Sequence, residues 1–296
     1  MIVGIGELLW DFQSDGTATA GGAPFNFAFH CQQFGHKSTI VSRVGDDELG
    51  EKLRAEVRSL GLSDAYIQVD SKHPTGTVQV DVDAAGQPSY RIAENVAWDH
   101  IMPTDELVDL AHRTRCVCYG SLGYRSPRSA ETIHRFRRLQ RLGLWGTWSV
   151  CDINLRQNFF NAESIDSAVR FADWLKLNSE EASRLAEVYG RAGEPMIPFL
   201  KGLLNLGTDN QSAIIWTHGA DGCDVFTSDA EYSEAGVPAQ VVDTVGAGDA
   251  FTAAMVCLRI EGKSLAESLP GAMKYAARVC EHRGGTPRIN RRELFS

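Results

Sequence analysis

The apolar positions of this chain fall in short continuous runs, separated by longer segments in which apolar and polar residues mix at helical spacing. Ile2-Val3-Gly4-Ile5 is the first run, and others lie near 39–44, 65–69, 116–119, 147–153, 174–177 and 213–217. Short apolar runs bounded by polar or glycine-containing segments predict buried strands. The intervening stretches at 25–34, 48–60, 127–142, 180–189 and 195–206 predict helices. This alternation implies an α/β fold, a mostly parallel sheet with helices on both faces. Open sheets of that kind take their ligands beyond the carboxyl ends of the strands, so the strand-to-helix loops are where chemistry is expected.

One segment breaks the alternation. Residues 75–82 and 88–93 read as two strands with alternating side chains around Asp83-Ala84-Ala85-Gly86-Gln87, and no helix follows to cover them. They are expected to join 17–22 in a small sheet projecting from the main domain, as a lid or a dimer face. An antiparallel edge on the main sheet is the alternative. The chain therefore reads as a single domain, 1–296, with lid strands inserted at about 12–22 and 74–95.

Composition narrows the class. With 296 residues and 43% hydrophobic content, the chain can bury a large core, and a soluble globular enzyme is the default. A formal charge of -9 argues against a nucleic-acid surface. Arg125, Arg128, Arg135, Arg137, Arg138 and Arg141 form a basic run, read as one solvated helix face because aromatic residues do not interleave with it. The seven cysteines sit mostly inside apolar runs, which suits buried reduced thiols, and Cys116 and Cys118 lack a second pair to complete a zinc site. No run approaches the roughly 18 apolar residues of a membrane span, and no basic region precedes the first apolar run. A cytoplasmic protein without membrane or nucleic-acid partners is expected.

The densest chemistry lies in Asp243-Thr244-Val245-Gly246-Ala247-Gly248-Asp249, followed by the apolar run 250–256. Glycines opening a helix leave its first N–H groups free for an anion, and the helix dipole adds positive charge there. Asp249 would repel that anion, but it is well placed to take a proton from a hydroxyl attacking it. Phosphoryl transfer to an alcohol and a plain helix start both remain open on this segment alone. Gly21-Gly22-Ala23-Pro24-Phe25-Asn26 opens another helix; its glycines allow close backbone approach, and Asn26 carries a donor and an acceptor suited to a sugar hydroxyl. A capping loop is the plainer reading. Two nucleotide motifs fail: Gly262-Lys263-Ser264 has Cys257 where a P-loop needs glycine, and Gly4-Ile5-Gly6 meets Leu9 where a dinucleotide fingerprint needs its third glycine.

The run 20–28, with Gly35 and Gly45 after it, resembles the N-terminal signature of the ribokinase-like (PfkB) carbohydrate kinases, and 243–256 resembles their C-terminal signature at each motif position. The resemblance covers essentially the whole chain, including Gly6-Glu7, Asp11, the hairpin and the strand-helix order, and is greatest to fructokinases. It implies Asp249 as catalytic base and Gly246, Ala247 and Gly248 as anion hole. Asn178-Ser179-Glu180-Glu181 is similar to the family's Asn-x-x-Glu motif, with Asn178 at ATP and Glu181 ordering Mg²⁺ through water; by itself the tetrapeptide is close to a capping box. Thr217, Gly219 and Gly222 resemble the nucleotide turn, which a hairpin turn would also explain. Adenine is expected between 235–242 and the helix 273–283. Family members often hold K⁺ on the equivalents of the Asp243 carboxylate, the Val245 carbonyl and carbonyls near 279–286. Arg288 replaces a small hydroxyl residue often found beyond that turn, which puts K⁺ activation in doubt.

For the acceptor, the resemblance implies Asp11, Gly22 and Asn26 at the sugar, with the lid above. Tyr90 and Arg91 resemble a pair that kinases of 2-keto-3-deoxygluconate use for a carboxylate. Arg156, in Asp152-Ile153-Asn154-Leu155-Arg156, suits a nucleotide phosphate or an acidic substrate group. The expected function is ATP-dependent phosphorylation of a small sugar, with fructose first, 2-keto-3-deoxygluconate as the enzymatic alternative, and a catalytically silent sugar-binding regulator as the alternative of another class. A second substrate phosphate would want a basic cluster, and a nucleoside would want a more apolar lid. A homodimer through the lid is compatible with the family.

Overall fold

The computed structural model describes residues 1–13, 15–82, 88–143, 146–170, 172–204, 213–291 and 294, with only the backbone at 80–82 and 88–90. The first half of the chain contains β1 (Ile2–Ile5), β2 (Leu9–Phe12), β3 (Ala18–Gly21), α1 (Ala23–Gln33), β4 (Ser38–Gly45), α2 (Glu48–Ser59), β5 (Ile67–Asp70), β6 (Gly76–Val82), β7 (Pro88–Ile92) and α3 (Asp105–His112). Then follow β8 (Cys116–Gly120), α4 (Pro127–Leu142), β9 (Trp148–Asp152), α5 (Ala162–Val169), β10 (Trp174–Asn178), α6 (Ser179–Val188) and α7 (Met196–Leu203). The chain closes with β11 (Ala213–Thr217), β12 (Gly222–Thr227), β13 (Glu231–Ala235), α8 (Ala247–Ile260) and α9 (Leu265–Cys280).

Nine strands form the main sheet in the order β13-β12-β11-β10-β9-β8-β1-β4-β5. From β11 to β5 every pairing is parallel, and β12 and β13 add an antiparallel edge. The chain moves outward from β1 to β4 and β5, then returns to β8 on the other side of β1. That reversal opens a crevice at the carboxyl ends of β1 and β8, where sheets of this type bind ligands. Ile2 packs into the cluster formed with α1, α8 and α9, while Val3 and Ile5 point into the opposite cluster with α3 to α7, as alternation along a strand requires. Helix α8 is buried at nine successive positions from Ala250 to Leu258, so its composition is apolar all round.

The hairpin joins a separate four-stranded sheet in the order β3-β2-β6-β7, not the edge of the main one. Its turn at 83–87 lies outside the described residues. A cluster of Leu9, Val78, Ile92, Val96, Trp98 and Leu122 seats this sheet on the body. Strand β2 was not anticipated, because Leu9-Trp10-Asp11-Phe12 is too short to show a period.

Three other expectations need correction. Helix α9 starts at Leu265 rather than near 273: Pro270 lies within it, but Ser264 and Glu267 close a capping box that fixes the earlier start. Helices α3 and α5, of eight residues each, were missed for want of two clear turns of pattern. The arginine run is not one solvated face. Arg125 precedes α4, pairs with Asp99 at 2.7 Å, and lies between the Trp98 and Phe159 rings. Arg137 is buried, with its guanidinium 4.6 Å from the Tyr119 ring centroid. Both line a groove of about 1480 Å³ between α4 and residues 158–167, which contains none of the expected site residues. All seven cysteines are free thiols and six are buried. Among the described residues, no helix is long and apolar enough to cross a membrane.

Candidate active site

Gly246 takes φ 77°, the left-handed conformation that turns the chain into α8. A Cβ there would lie 2.5 Å from Gly285 Cα, so glycine is required by space as well as by backbone. Behind the turn, the two Asp243 carboxylate oxygens accept the N–H groups of Val245 and Gly284 at 3.0 and 2.8 Å. The N–H of Ala247 is spent on the Thr244 carbonyl at 3.2 Å. The amides of Gly246, Gly248 and Asp249 find no acceptor among the described residues. The opening turn of α8 therefore presents free donors, as expected for an anion site, although Ala247 contributes none in this state.

Asp249 stands on this turn. Asn26 Nδ2 donates to its Oδ2 at 2.8 Å, joining the helix starts of α1 and α8 across the sheet end. Burial, the nearby Asp152 carboxylate and only partial relief from Asn26, Lys176 and Arg156 push the Asp249 carboxyl up to about 7. A carboxyl poised there can both hold and release a proton at neutral pH. The Asn26 Oδ1 is buried and has no donor among the described residues.

Asn26 is itself fixed from behind. Gly285 packs so closely that a Cβ on it would lie 2.8 Å from Asn26 Nδ2. His30, one turn along α1, contacts the Gly285 carbonyl through Nε2 at 2.9 Å and the Tyr275 hydroxyl through Nδ1 at 3.0 Å. A carbonyl only accepts, so Nε2 carries the hydrogen and Nδ1 accepts from Tyr275. Burial depresses this imidazole to about 4, so it stays neutral. Nothing in the isolated Phe29-His30-Cys31 marks it, since the partners lie about 250 residues away.

Towards the small sheet, Ala23 N–H donates to Glu7 Oε1 at 3.2 Å, fixing Gly22 and the start of α1. Glu7 is 2% exposed, and burial pushes its carboxyl up to about 7. Asp11 lies over Gly21, where a Cβ would meet its Oδ2 at 2.1 Å. Burial, opposed by Arg156, raises Asp11 to about 6. Arg156 is exposed, yet its charge is felt at Glu7, Asp11, Asp249 and Glu181 alike. It overlooks the whole acidic floor. Arg91 is exposed on β7 in register with Gln79, and the Tyr90 side chain lies outside the described ones.

On the other flank, Asn178 and Glu181 do form a capping box: Asn178 Oδ1 accepts the Glu181 N–H at 2.9 Å and Glu181 Oε2 accepts the Asn178 N–H at 2.8 Å. Glu181 Oε1 also accepts the Leu155 N–H at 3.2 Å. Thr217, Gly219 and Gly222 follow at the end of β11, and Gly222 (φ 118°) has no room for a Cβ beside the Glu234 carbonyl at 2.1 Å. His218 bridges Ser179 and Asp224 at 3.0 and 2.9 Å, which is a structural role. Beneath the floor runs an unforeseen buried pair, Lys176 with Asp152, at 3.0 and 3.1 Å to the two carboxylate oxygens.

Among the described residues, no group of three or more His, Cys, Asp or Glu could cage a metal. Asn178 and Glu181 supply hard oxygens already braced by backbone, which fits an outer shell around a phosphate-held Mg²⁺ rather than a protein cage. Free helix amides, a carboxyl near 7 and a crevice at the carboxyl ends of a parallel sheet together describe a phosphotransferase of the α/β type.

Comparison with known proteins gives the class its family. The model for "pfkB family carbohydrate kinase" matches residues 12–291, and the chain belongs to that family. It is a carbohydrate kinase. Fructokinase-2 of Oryza sativa subsp. japonica is 28% identical over 297 residues, covering 93% of this chain and 85% of the relative. A fructokinase from Xylella fastidiosa, solved with bound ATP, superposes with a TM-score of 0.87 at 21% identity over 99% of this chain and 97% of that one. An uncharacterized sugar kinase from Pyrococcus horikoshii, in complex with ATP, gives a TM-score of 0.81 at 25% identity over 100% and 97% of the two chains.

Proposed function

We propose that this kinase transfers the γ-phosphate of ATP to a primary hydroxyl of a small sugar, with fructose the favoured acceptor. The reading rests on one observation above others: Asp249, held by Asn26 at 2.8 Å, stands on the same helical turn as unpartnered backbone donors. Asp249 accepts the hydroxyl proton as the oxygen attacks in line, and the amides at Gly246, Gly248 and Asp249 receive charge developing on the transferring oxygens. Mg²⁺, ordered through water near Asn178 and Glu181, would neutralise the phosphates. Thr217, Gly219 and Gly222 line the nucleotide side. Val241, Val242 and Val245 are exposed there at 63%, 58% and 51%, an apolar surface suited to adenine. Asp11, Gly22 and Asn26 hold the sugar, with the small sheet above it as lid. The Asp243 carboxylate is engaged by two backbone amides, so K⁺ dependence rests on the family resemblance alone.

Arg156 over the acidic floor favours a second reading, an acidic acceptor such as 2-keto-3-deoxygluconate, for which Arg91 on the lid would be a further cation. Coupled measurement of ADP release over fructose, ribose, 2-keto-3-deoxygluconate, fructose 6-phosphate and adenosine separates the two. Fructose should give the highest kcat/KM. A preference for the sugar acid would replace it with the second reading, and no ADP release from any acceptor would favour a silent sugar-binding protein.

A further inference from the structure

A buried lysine inside an anion-binding enzyme calls for a physical account, because an ammonium ion is costly to hold out of water. Lys176 is 6% exposed in the middle of β10, and its Nζ contacts both oxygens of Asp152 on β9. A Cβ on Gly248 would lie 2.8 Å from that Nζ, so the ammonium sits directly beneath the opening turn of α8. Thr252 ties the pair to the same turn: its hydroxyl lies 3.2 Å from Asp152 Oδ2 and 2.9 Å from the Gly248 carbonyl. An ammonium has three hydrogens, and Asp152 accounts for at most two.

We propose that Lys176, paired with Asp152 under Gly248, is a positioning residue for phosphoryl transfer that sets the charge on Asp249. The inference rests on Asp249 being the base. The groups facing Asp249 are Asn26 from α1, Cys118 from β8, Asp152 from β9, Lys176 from β10 and Arg156 from the loop after β9. Asp152 opposes ionisation of Asp249, whereas Asn26, Lys176 and Arg156 favour it. Burial alone would discharge Lys176, but Asp152, Glu181 and Asp249 hold it above its ordinary value, so it remains a cation across the working range. The two members of the pair thus act on the base in opposite directions, and the balance between them fixes the pH at which Asp249 becomes competent.

The test is a charge cycle of Lys176→Met, Asp152→Asn and the double variant. The Asp249 carboxyl is titrated by ¹³C NMR in the enzyme without substrates, its signal assigned by loss in Asp249→Asn, and log kcat/KM is followed against pH. Lys176→Met should move the Asp249 titration and the acid limb up by about one pH unit, an approximately tenfold loss of kcat/KM below the limb. Asp152→Asn should move both down, and the double variant should return them close to the wild-type position. Lys176→Arg should keep the limb where it is. A merely structural lysine would lower yield or thermal midpoint without moving the titration, and a folded Lys176→Met enzyme with an unshifted Asp249 overturns the proposal. If Lys176→Met fails to fold, Asp152→Asn, in which Glu181 and Asp249 still face the ammonium, decides it by the sign of its shift, and an Asp249 titration that does not move down overturns the proposal. Because the NMR titration needs no turnover, a failure of Asp249 as base shows separately, as activity retained in Asp249→Asn.

Discussion

The corner at the start of α8 and the small sheet of β2, β3, β6 and β7 bound the same crevice, but they are held in different ways. At the corner, Gly246, Gly285 and Asn26 are stacked so closely that no Cβ fits between them, and His30 locks the stack to α9. On the small sheet, β3 runs exposed, exposed, half-buried and buried, and Asp11 and Phe12 are only half-buried. On the proposed function, the chemistry common to every acceptor would sit where close backbone packing fixes it. On the same proposal, the part of acceptor recognition that Asp11 supplies would sit on a thin sheet whose side chains can vary without disturbing the core. On that difference, changes at the corner should strike kcat or folding, and changes on the small sheet should strike the sugar KM.

The largest effect is expected at Asp249. Asp249→Asn preserves shape and the Asn26 contact region while removing the base, so kcat should fall about 10²–10⁴-fold, with ATP binding nearly unchanged. Stability should move the other way. A carboxyl raised to about 7 in the fold contributes stability that is fully present below its unfolded value near 3.8 and is lost as pH rises through 7. Above that pH the wild-type protein bears the cost of ionising Asp249, which the amide does not, so Asp249→Asn should be more stable at pH 8 by up to about 4 kcal/mol. Steady-state rates and thermal midpoints at pH 5 and pH 8 measure both halves. Normal turnover in the variant would remove the corner from the chemistry altogether.

Gly246→Ala should have the next largest effect. The φ of 77° and the 2.5 Å approach to Gly285 mean that an alanine must displace backbone rather than a flexible side chain. A loss of about 1–3 kcal/mol of stability is expected, together with a fall in kcat of about tenfold as the free amides turn away. Chemical denaturation and kcat check these. An alanine tolerated on both counts would mean that the corner is looser than the stack requires.

Both corner predictions concern residues that were legible in the sequence, and the reason is physical. A left-handed turn without room for a Cβ admits only glycine, so Gly246 and Gly222 leave a mark that short-range reading can find. The mostly parallel sheet followed from short apolar runs alternating with helical segments, and α4 falls at Pro127–Leu142, within the predicted bounds. What was hidden depends on distance in the chain. Lys176, Asp152, His30 and Gly285 acquire meaning only from partners on other strands and helices: Lys176 reads as one polar residue in the apolar strand Trp174-Leu175-Lys176-Leu177, and His30 as one polar residue in a buried helix. Asn178 and Glu181 show a different limit. Their spacing is satisfied by a capping box, and the box is present, so the spacing alone could never have distinguished a helix start from a phosphate contact.

Asp11 carries the smallest and most discriminating effect. It lies on β2 in register with Thr19 of β3 and Val78 of β6, half-buried, with its carboxylate over Gly21 and its titration raised to about 6 by burial. It lacks a restraint like the Asn26 contact that holds Asp249, since no hydrogen bond among the described residues holds the Asp11 carboxylate in place. Asp11→Ala therefore removes a group that can orient a hydroxyl but leaves the corner, the free amides and the Asn26 to Asp249 contact untouched. The sugar KM should rise about tenfold, equivalent to the loss of one or two hydrogen bonds, while kcat and the ATP KM change by less than about threefold. Separate saturation curves for sugar and ATP give the three constants. If Asp11→Ala instead lowered kcat as deeply as Asp249→Asn at an unchanged sugar KM, the division between a transfer corner and a recognition sheet would fail, because a residue on the exposed side would then be stabilising the transition state rather than the bound acceptor.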